Sequence, residues 1–283
     1  MHTSILQSIL NISNNSNTLV SKVQTSSISI NQMGDGLESF VKDAFANTFT
    51  TDKSKKIEIY NKLFSWEGNQ NNPPDLIIKN KEAIEVKKIE GYGAIALNSS
   101  FPKNKISNTD PMITKDCGTC ECTPWTKPLY YYIGTISKTN FLNSLFILEA
   151  NCYAADESVY LKMKNIIKEG TENIENVVFS ETKELGKVKQ VDPLGITDLR
   201  IRGMWSIKNP YDVFNYVEVI TKPLKEESVI YAIISKTTYM MFDRAERKKI
   251  EEMDVIDVND IKIKSPNNPV KLINAKLIKV KLV

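Results

Sequence analysis

Residues 71–90 read NNPPDLIIKNKEAIEVKKIE. Pro73 and Pro74 cannot continue a helix, so DLII and AIEVKKI become two short strands around KNKE. Alternation along the second strand puts Glu85 and Lys87 on one face, with Ile84, Val86 and Ile89 mostly serving the apolar one. Charges among such neighbours are unusual in a buried strand unless a site needs them. Register decides whether Asp75 joins them. A two-residue turn at Asn80–Lys81 sets Asp75 opposite Val86, on the wrong face. A three-residue loop, Asn80 to Glu82, sets it opposite Lys87 and beside Glu85. Two carboxylates so close repel, and a hard cation that prefers oxygen relieves them; Mg²⁺ fits, with the Val86 carbonyl as a further ligand. Such a cation neutralises charge on a phosphodiester and activates water, which Lys87 orients or helps to deprotonate while contacting the scissile phosphate. This arrangement points to metal-assisted phosphodiester hydrolysis. The same spacing also suits a surface hairpin whose charges are merely solvated.

Working outward, helical and strand patterns mix without strict alternation. Leu37, Phe40, Val41, Ala44 and Phe45 recur at helical spacing, with Asp35 placed to cap them. LYYYIGTIS (129–137), SLFILEANCY (144–153), ITDLRIRGMWSI (196–207), ESVIYAIIS (227–235) and VKLINAKLIKVKLV (270–283) have strand character. YAADESVYLKMKNIIKEG (153–170) reads as a helix closed by Gly170, and AERKKIEEM as a short one. The expectation is an α/β fold with a mixed central β-sheet flanked by helices. A chain of 283 residues can bury one large core, and no domain boundary is marked.

The 37 basic and 34 acidic residues leave a net charge of +3, which neither identifies nor excludes a nucleic-acid binder. MHTSILQSILNIS lacks the basic start and continuous apolar run of a signal peptide, and no stretch approaches a membrane span. A cytoplasmic protein with reduced thiols is expected. Cys117-x2-Cys120-x-Cys122 invites zinc, but a structural site needs four ligands and Cys152 is the one remaining cysteine. Loop thiols are the plainer reading. The lone histidine, His2, excludes a Ser-His-Asp triad and histidine-metal nucleases, and no phosphate-binding glycine loop is present.

PPDLIIKNKEAIEVKK resembles the PD-(D/E)xK core of type II restriction endonucleases. AIEVKKIEGYGAIALNSSFPKNKI (83–106), PMITKDC (111–117), LEANCYAADESVY (148–160) and DPLGITDLRIRGMWSIKNP (192–210) resemble, in order and spacing, the NgoPII-type family. The likeness runs from about Glu38 to about residue 215. It implies a restriction-endonuclease-like fold, Mg²⁺ dependence and cleavage of double-stranded DNA at a short palindrome, GGCC in that family. It also implies a homodimer, since two identical subunits most simply read a two-fold site, and a cognate DNA methyltransferase. By motif match Asp75, Glu85 and Lys87 take the catalytic positions. Glu38 falls where many such enzymes carry an acidic residue on the first core helix, to bind or orient the metal; it also suits an ordinary solvated helix face. One endonuclease domain over 1–283 follows, with an N-terminal arm or helix over 1–33, a catalytic and recognition core over 34–215 and a strand-rich part over 216–283. Two other readings stay open: a repair or junction-resolving nuclease of the same fold, and a DNA-binding protein without a working metal site.

Directly after the hairpin, Asn98, Ser99 and Ser100 are compact groups suited to phosphates or base edges, and Lys103 and Lys105 to phosphates. The same loop is also an ordinary turn. Arg200 and Arg202 alternate on a strand and so face one side, as guanine readers or as a salt-bridged surface pair. Trp205 fits the core. Lysine runs in 52–63, 244–249 and the last strand are solvated faces, some of which suit a DNA cleft.

Overall fold

The computed structural model describes residues 3–15, 30–69, 72–138, 141–224 and 227–282. Helices α1 (Ile5–Asn14), α2 (Ile30–Ala46) and α3 (Lys53–Leu63) lead into strands β1 (Phe64–Asn69), β2 (Asn72–Ile78) and β3 (Ala83–Glu90). Then come β4 (Ile95–Asn98), β5 (Lys105–Ser107), the short α4 (Lys115–Gly118) and the central strands β6 (Thr126–Ile136) and β7 (Leu142–Glu149). Helix α5 (Glu157–Glu172) is followed by β8 (Gly186–Val188), β9 (Leu199–Ile201), β10 (Trp205–Ile207) and α6 (Pro210–Val213). Strand β11 (Ser228–Ser235), helices α7 (Lys236–Met241) and α8 (Arg244–Glu251), and strands β12 (Ile256–Lys264) and β13 (Leu272–Leu282) complete the described chain.

Nine described strands form one sheet in the order β1-β2-β3-β6-β7-β11-β13-β12, with β5 also on β6. β3 runs parallel to β6 and β7 parallel to β11, while the other neighbours are antiparallel. This is the mixed sheet flanked by helices that the pattern predicts, in a restriction-endonuclease-like arrangement. β4 with β10, and β8 with β9, make two small ribbons outside it. No helix among the described residues is long and apolar enough to cross a membrane.

Both faces of the sheet are buried, which is why β6 and β7 read as unbroken apolar runs. One face sets Leu76, Ile84, Tyr130, Tyr132 and Ile147 against α1 and α2; the other sets Ile77, Ala83, Tyr131, Ile133 and Leu148 against Trp125, Tyr153 and Tyr211. The apolar N-terminal stretch is a core helix: Ile5, Leu6 and Ile9 have no exposure, and Ser8 Oγ meets Tyr132 OH at 2.9 Å. Residues 16–29, within the expected N-terminal arm or helix, lie outside the described residues. Helix α2 starts at Ile30, ahead of the Asp35 expected to cap it, and buries Leu37, Val41, Ala44 and Phe45 as its spacing predicts. It sits close on β6 because a Cβ at Gly134 would lie 2.7 Å from Leu37 Cδ2. Helix α5 runs past Gly170, the expected stop, to Glu172; Asn173 closes it instead.

The hairpin that carries Asp75 has the odd loop expected, placed one residue earlier. Ile78 N–H donates to the Glu82 carbonyl at 3.1 Å, so Lys79–Lys81 form the turn, with Asn80 at φ 59°. The pairs Leu76–Ile84 and Ile77–Ala83 extend to set Asp75 opposite Glu85 itself, not Lys87. All three still share a face. Ile89 joins that face too, correcting its assignment to the opposite side. Glu121, within the cysteine-rich loop, anchors the turn: it accepts from Asn80 N–H at 2.9 Å and Ser65 Oγ at 2.6 Å, and pairs with Lys127 at 2.7 Å. Lys127 also donates to the Lys81 carbonyl at 2.8 Å. Burial opposes the charge on Glu121, yet Lys127, Ser65 and the Asn80 amide together hold its carboxyl below the usual range. Glu121→Gln strands a buried ammonium, and urea unfolding at neutral pH is expected to give a loss of about 2–3 kcal/mol. A depressed carboxyl stabilises above its unfolded pKa, so the deficit fades as pH falls through the folded value. An unchanged midpoint at neutral pH would remove Glu121 as the anchor.

Candidate active site

The β2–β3 ladder stops at Leu76–Ile84, and the Asp75 carboxylate takes over the next amide: Val86 N–H donates to Asp75 Oδ2 at 2.6 Å. A strand residue turns its N–H and C=O to the same lateral side, so the Val86 carbonyl also faces this opened edge. Lys87 Nζ bonds Glu85 Oε1. Glu85 is 9% exposed, and its Oε2 is buried with no hydrogen-bond partner among the described residues. The main chain before Asp75 is fixed as well. Trp66 Nε1 donates to the Pro74 carbonyl at 3.1 Å. A Cβ at Gly68 would fall 2.5 Å from that same oxygen and 2.9 Å from Asp75 Cα, so β1 can lie here only because residue 68 is glycine.

Burial, and after it the charge of Glu85, push the Asp75 carboxyl up to about 8; Lys87 and the Val86 amide offset only part of this. Burial also works against the charge on Lys87, but Glu85 and Asp75 outweigh it and hold the ammonium above its usual range. Two carboxyl groups and one ammonium thus share one face of the hairpin.

Glu38 lies on α2 within electrostatic reach of Asp75. Its carboxylate is engaged by Lys42 at 3.0 Å, and Lys42 also holds Glu67 of β1 at 2.9 Å. Glu67, Trp66 and Gly68 escape a reading of the sequence because FSWEGN carries neither a strong alternation nor a turn signal; the double proline after it was the sole nearby mark.

Other expected contacts divide. Ser99 is exposed, and Ser100 Oγ is buried without a hydrogen-bond partner among the described residues. The side chain of Asn98 lies outside the description. Lys103 is turned inward, 5% exposed, and paired with Asp110 at 2.6 Å, while its main chain brackets Tyr131 OH. That is the geometry of a structural ion pair, because a lysine serving DNA must reach solvent. Arg200 and Arg202 do share a side, and both bond Glu184. The four cysteines are free thiols; Cys117 and Cys152 are buried, and Trp205 packs edge-on against Phe101 and Tyr160.

Among the described residues no three His, Cys, Asp or Glu side chains gather into a metal cage. The hairpin instead offers two carboxylates and one carbonyl, leaving other positions to water and phosphate, which is how Mg²⁺ is commonly held. The orphaned Glu85 Oε2 and the repelling pair both fit a cation. A carboxyl raised by folding contributes stability at low pH that is lost as pH rises through its folded value. In metal-free buffer, therefore, Asp75→Asn is expected to melt several degrees above the unaltered protein at pH above about 8, and the gap to narrow as pH falls and close below the ordinary carboxyl value of 3.8. A gap that does not depend on pH would contradict the repelling pair.

The profile of the NgoPII restriction endonuclease family matches residues 3–265. The chain is 43% identical over 276 residues to the type II restriction enzyme NgoPII of Neisseria gonorrhoeae, covering 97% of this chain and 98% of that one. No solved structure matches it. The chain belongs to the NgoPII restriction endonuclease family and is a type II site-specific endonuclease.

Proposed function

We propose that this chain hydrolyses double-stranded DNA at a short palindrome, GGCC, with Mg²⁺ held by Asp75, Glu85 and the Val86 carbonyl. The observation that carries this reading is the buried, unpartnered Glu85 Oε2 beside the Val86-bound Asp75. When bound, Mg²⁺ would offset charge gathering on the phosphodiester and acidify water. Asp75 is held in place by the Val86 amide and by the Trp66 clamp on Pro74. Lys87, held beside its two carboxylate neighbours, donates to the scissile phosphate and orients the attacking water. Glu38 acts by holding Lys42 and Glu67 beside Asp75.

Ser99, Ser100 and Asn98 follow the catalytic strand directly and suit phosphate or base-edge contacts, and Arg200 and Arg202 suit the guanines of a GC-rich site. Two copies related by a two-fold axis read the palindrome, and the whole chain acts as one endonuclease domain. The protein works in the cytoplasm beside a methyltransferase that protects the same sequence.

Purified protein incubated with plasmid DNA is expected to give discrete fragments with Mg²⁺ and none with EDTA, with GGCC at their ends. Lys87→Ala and Glu85→Ala should each slow cleavage by about 10²–10⁴-fold while DNA is still bound. DNA that is bound by the unaltered protein but never cut under any divalent metal would overturn the catalytic assignment.

A further inference from the structure

Glu184, which no motif singled out, sits just before β8 and receives both arginines. Arg200 gives it Nε at 2.8 Å and Nη2 at 2.7 Å; Arg202 gives it Nε alone, at 2.7 Å. Neither terminal nitrogen of Arg202 has a hydrogen-bond partner among the described residues. Both arginine side chains are 53% exposed, against 20% for Glu184. A solvent-facing pair of this kind contributes little to stability, so holding the fold together is a weak reason for it. What it does fix is direction. The guanidinium of Arg202 is pinned at its inner nitrogen and left with its outer fork open, which is the end that reads guanine O6 and N7 or a phosphate. Arg202 also lines a cavity of about 370 Å³, together with Ser99, Glu184, Met204 and Trp205, among others. Ser99 follows β4, and β4 pairs with β10, the strand that carries Trp205.

We propose that Glu184 is a positioning residue for sequence readout: it pre-orients Arg202 towards guanine and, by cancelling one of two positive charges, weakens attraction to DNA in general. This rests on the reading of Arg202 as a base-facing arginine. Two consequences of removing Glu184 can be separated. Without the carboxylate, Arg202 must be ordered when the site binds, which weakens cognate binding. The uncancelled charge meanwhile strengthens binding to any duplex. That charge raises both affinities alike, so the ratio of cognate to unrelated affinity falls through the lost orientation of Arg202 alone.

The test is a double-mutant cycle on that ratio. Binding is measured with Ca²⁺ replacing Mg²⁺, on a short duplex carrying the sequence found at the plasmid cleavage ends and on the same duplex with that sequence scrambled. Glu184→Ala is expected to lower the ratio about five- to tenfold, with the melting temperature unchanged. Glu184→Gln, which keeps the side chain's shape, is expected to change it in the same direction. In an Arg202→Ala background, Glu184→Ala should lower the ratio no further. If Arg202→Ala lowers the ratio but neither Glu184 variant does, the positioning role fails while the arginine reading stands. If Arg202→Ala leaves the ratio unchanged, the base-facing reading itself fails, and the proposal with it.

Discussion

Two carboxylates facing each other across the mouth of a buried hairpin are a cost that the rest of the molecule sustains. Asp75 and Glu85 repel, and the low exposure of Glu85 removes the water that would soften the repulsion. Only rigid packing keeps such a pair from splaying apart. The rigidity has visible sources: the Trp66 clamp on Pro74, the close approach allowed by Gly68, and the Glu121–Lys127 anchor on the turn. Behind them stands a sheet buried on both faces. Each element does little chemistry itself, yet together they hold two carboxyl groups against each other.

The hairpin was the most legible part of the chain. Two prolines, two apolar runs and a Glu-Val-Lys alternation give strands, a shared face and an odd loop. The one-residue error in register arose because turn residues rank Asn80 at several loop positions equally well, while tertiary bonds from Glu121 and Leu63 choose among them. Helix α2 was found through Leu37, Val41 and Phe45, whose spacing is set by burial on one side. Its start was missed because nothing in INQMG signals a cap. Helix α5 overran Gly170 because an exposed helix can tolerate glycine when Asn173 closes it a turn later.

Lysine positions were the least legible. Lys103 and Lys127 look like surface charges in sequence, yet both are buried against carboxylates more than one turn away along the chain. Periodicity reports which faces are apolar; it cannot report which long side chain reaches back inside. Glu184 is the converse case. Nothing local marks it, and only the ribbon of β8 and β9 brings it against Arg200 and Arg202. The family match over almost the whole length places the protein among restriction enzymes rather than repair nucleases or inert DNA binders. It leaves the assignment of individual residues to geometry.

The central claim is that the Asp75–Glu85 pair is a cation site. The most direct measurement is a crystal of the protein grown with DNA and Mn²⁺ and examined by anomalous scattering. The expected result is a peak within direct coordination distance of carboxylate oxygens of Asp75 and Glu85 and of the Val86 carbonyl. A cation found instead between Glu38 and Glu67, with Asp75 and Glu85 unliganded, would contradict it.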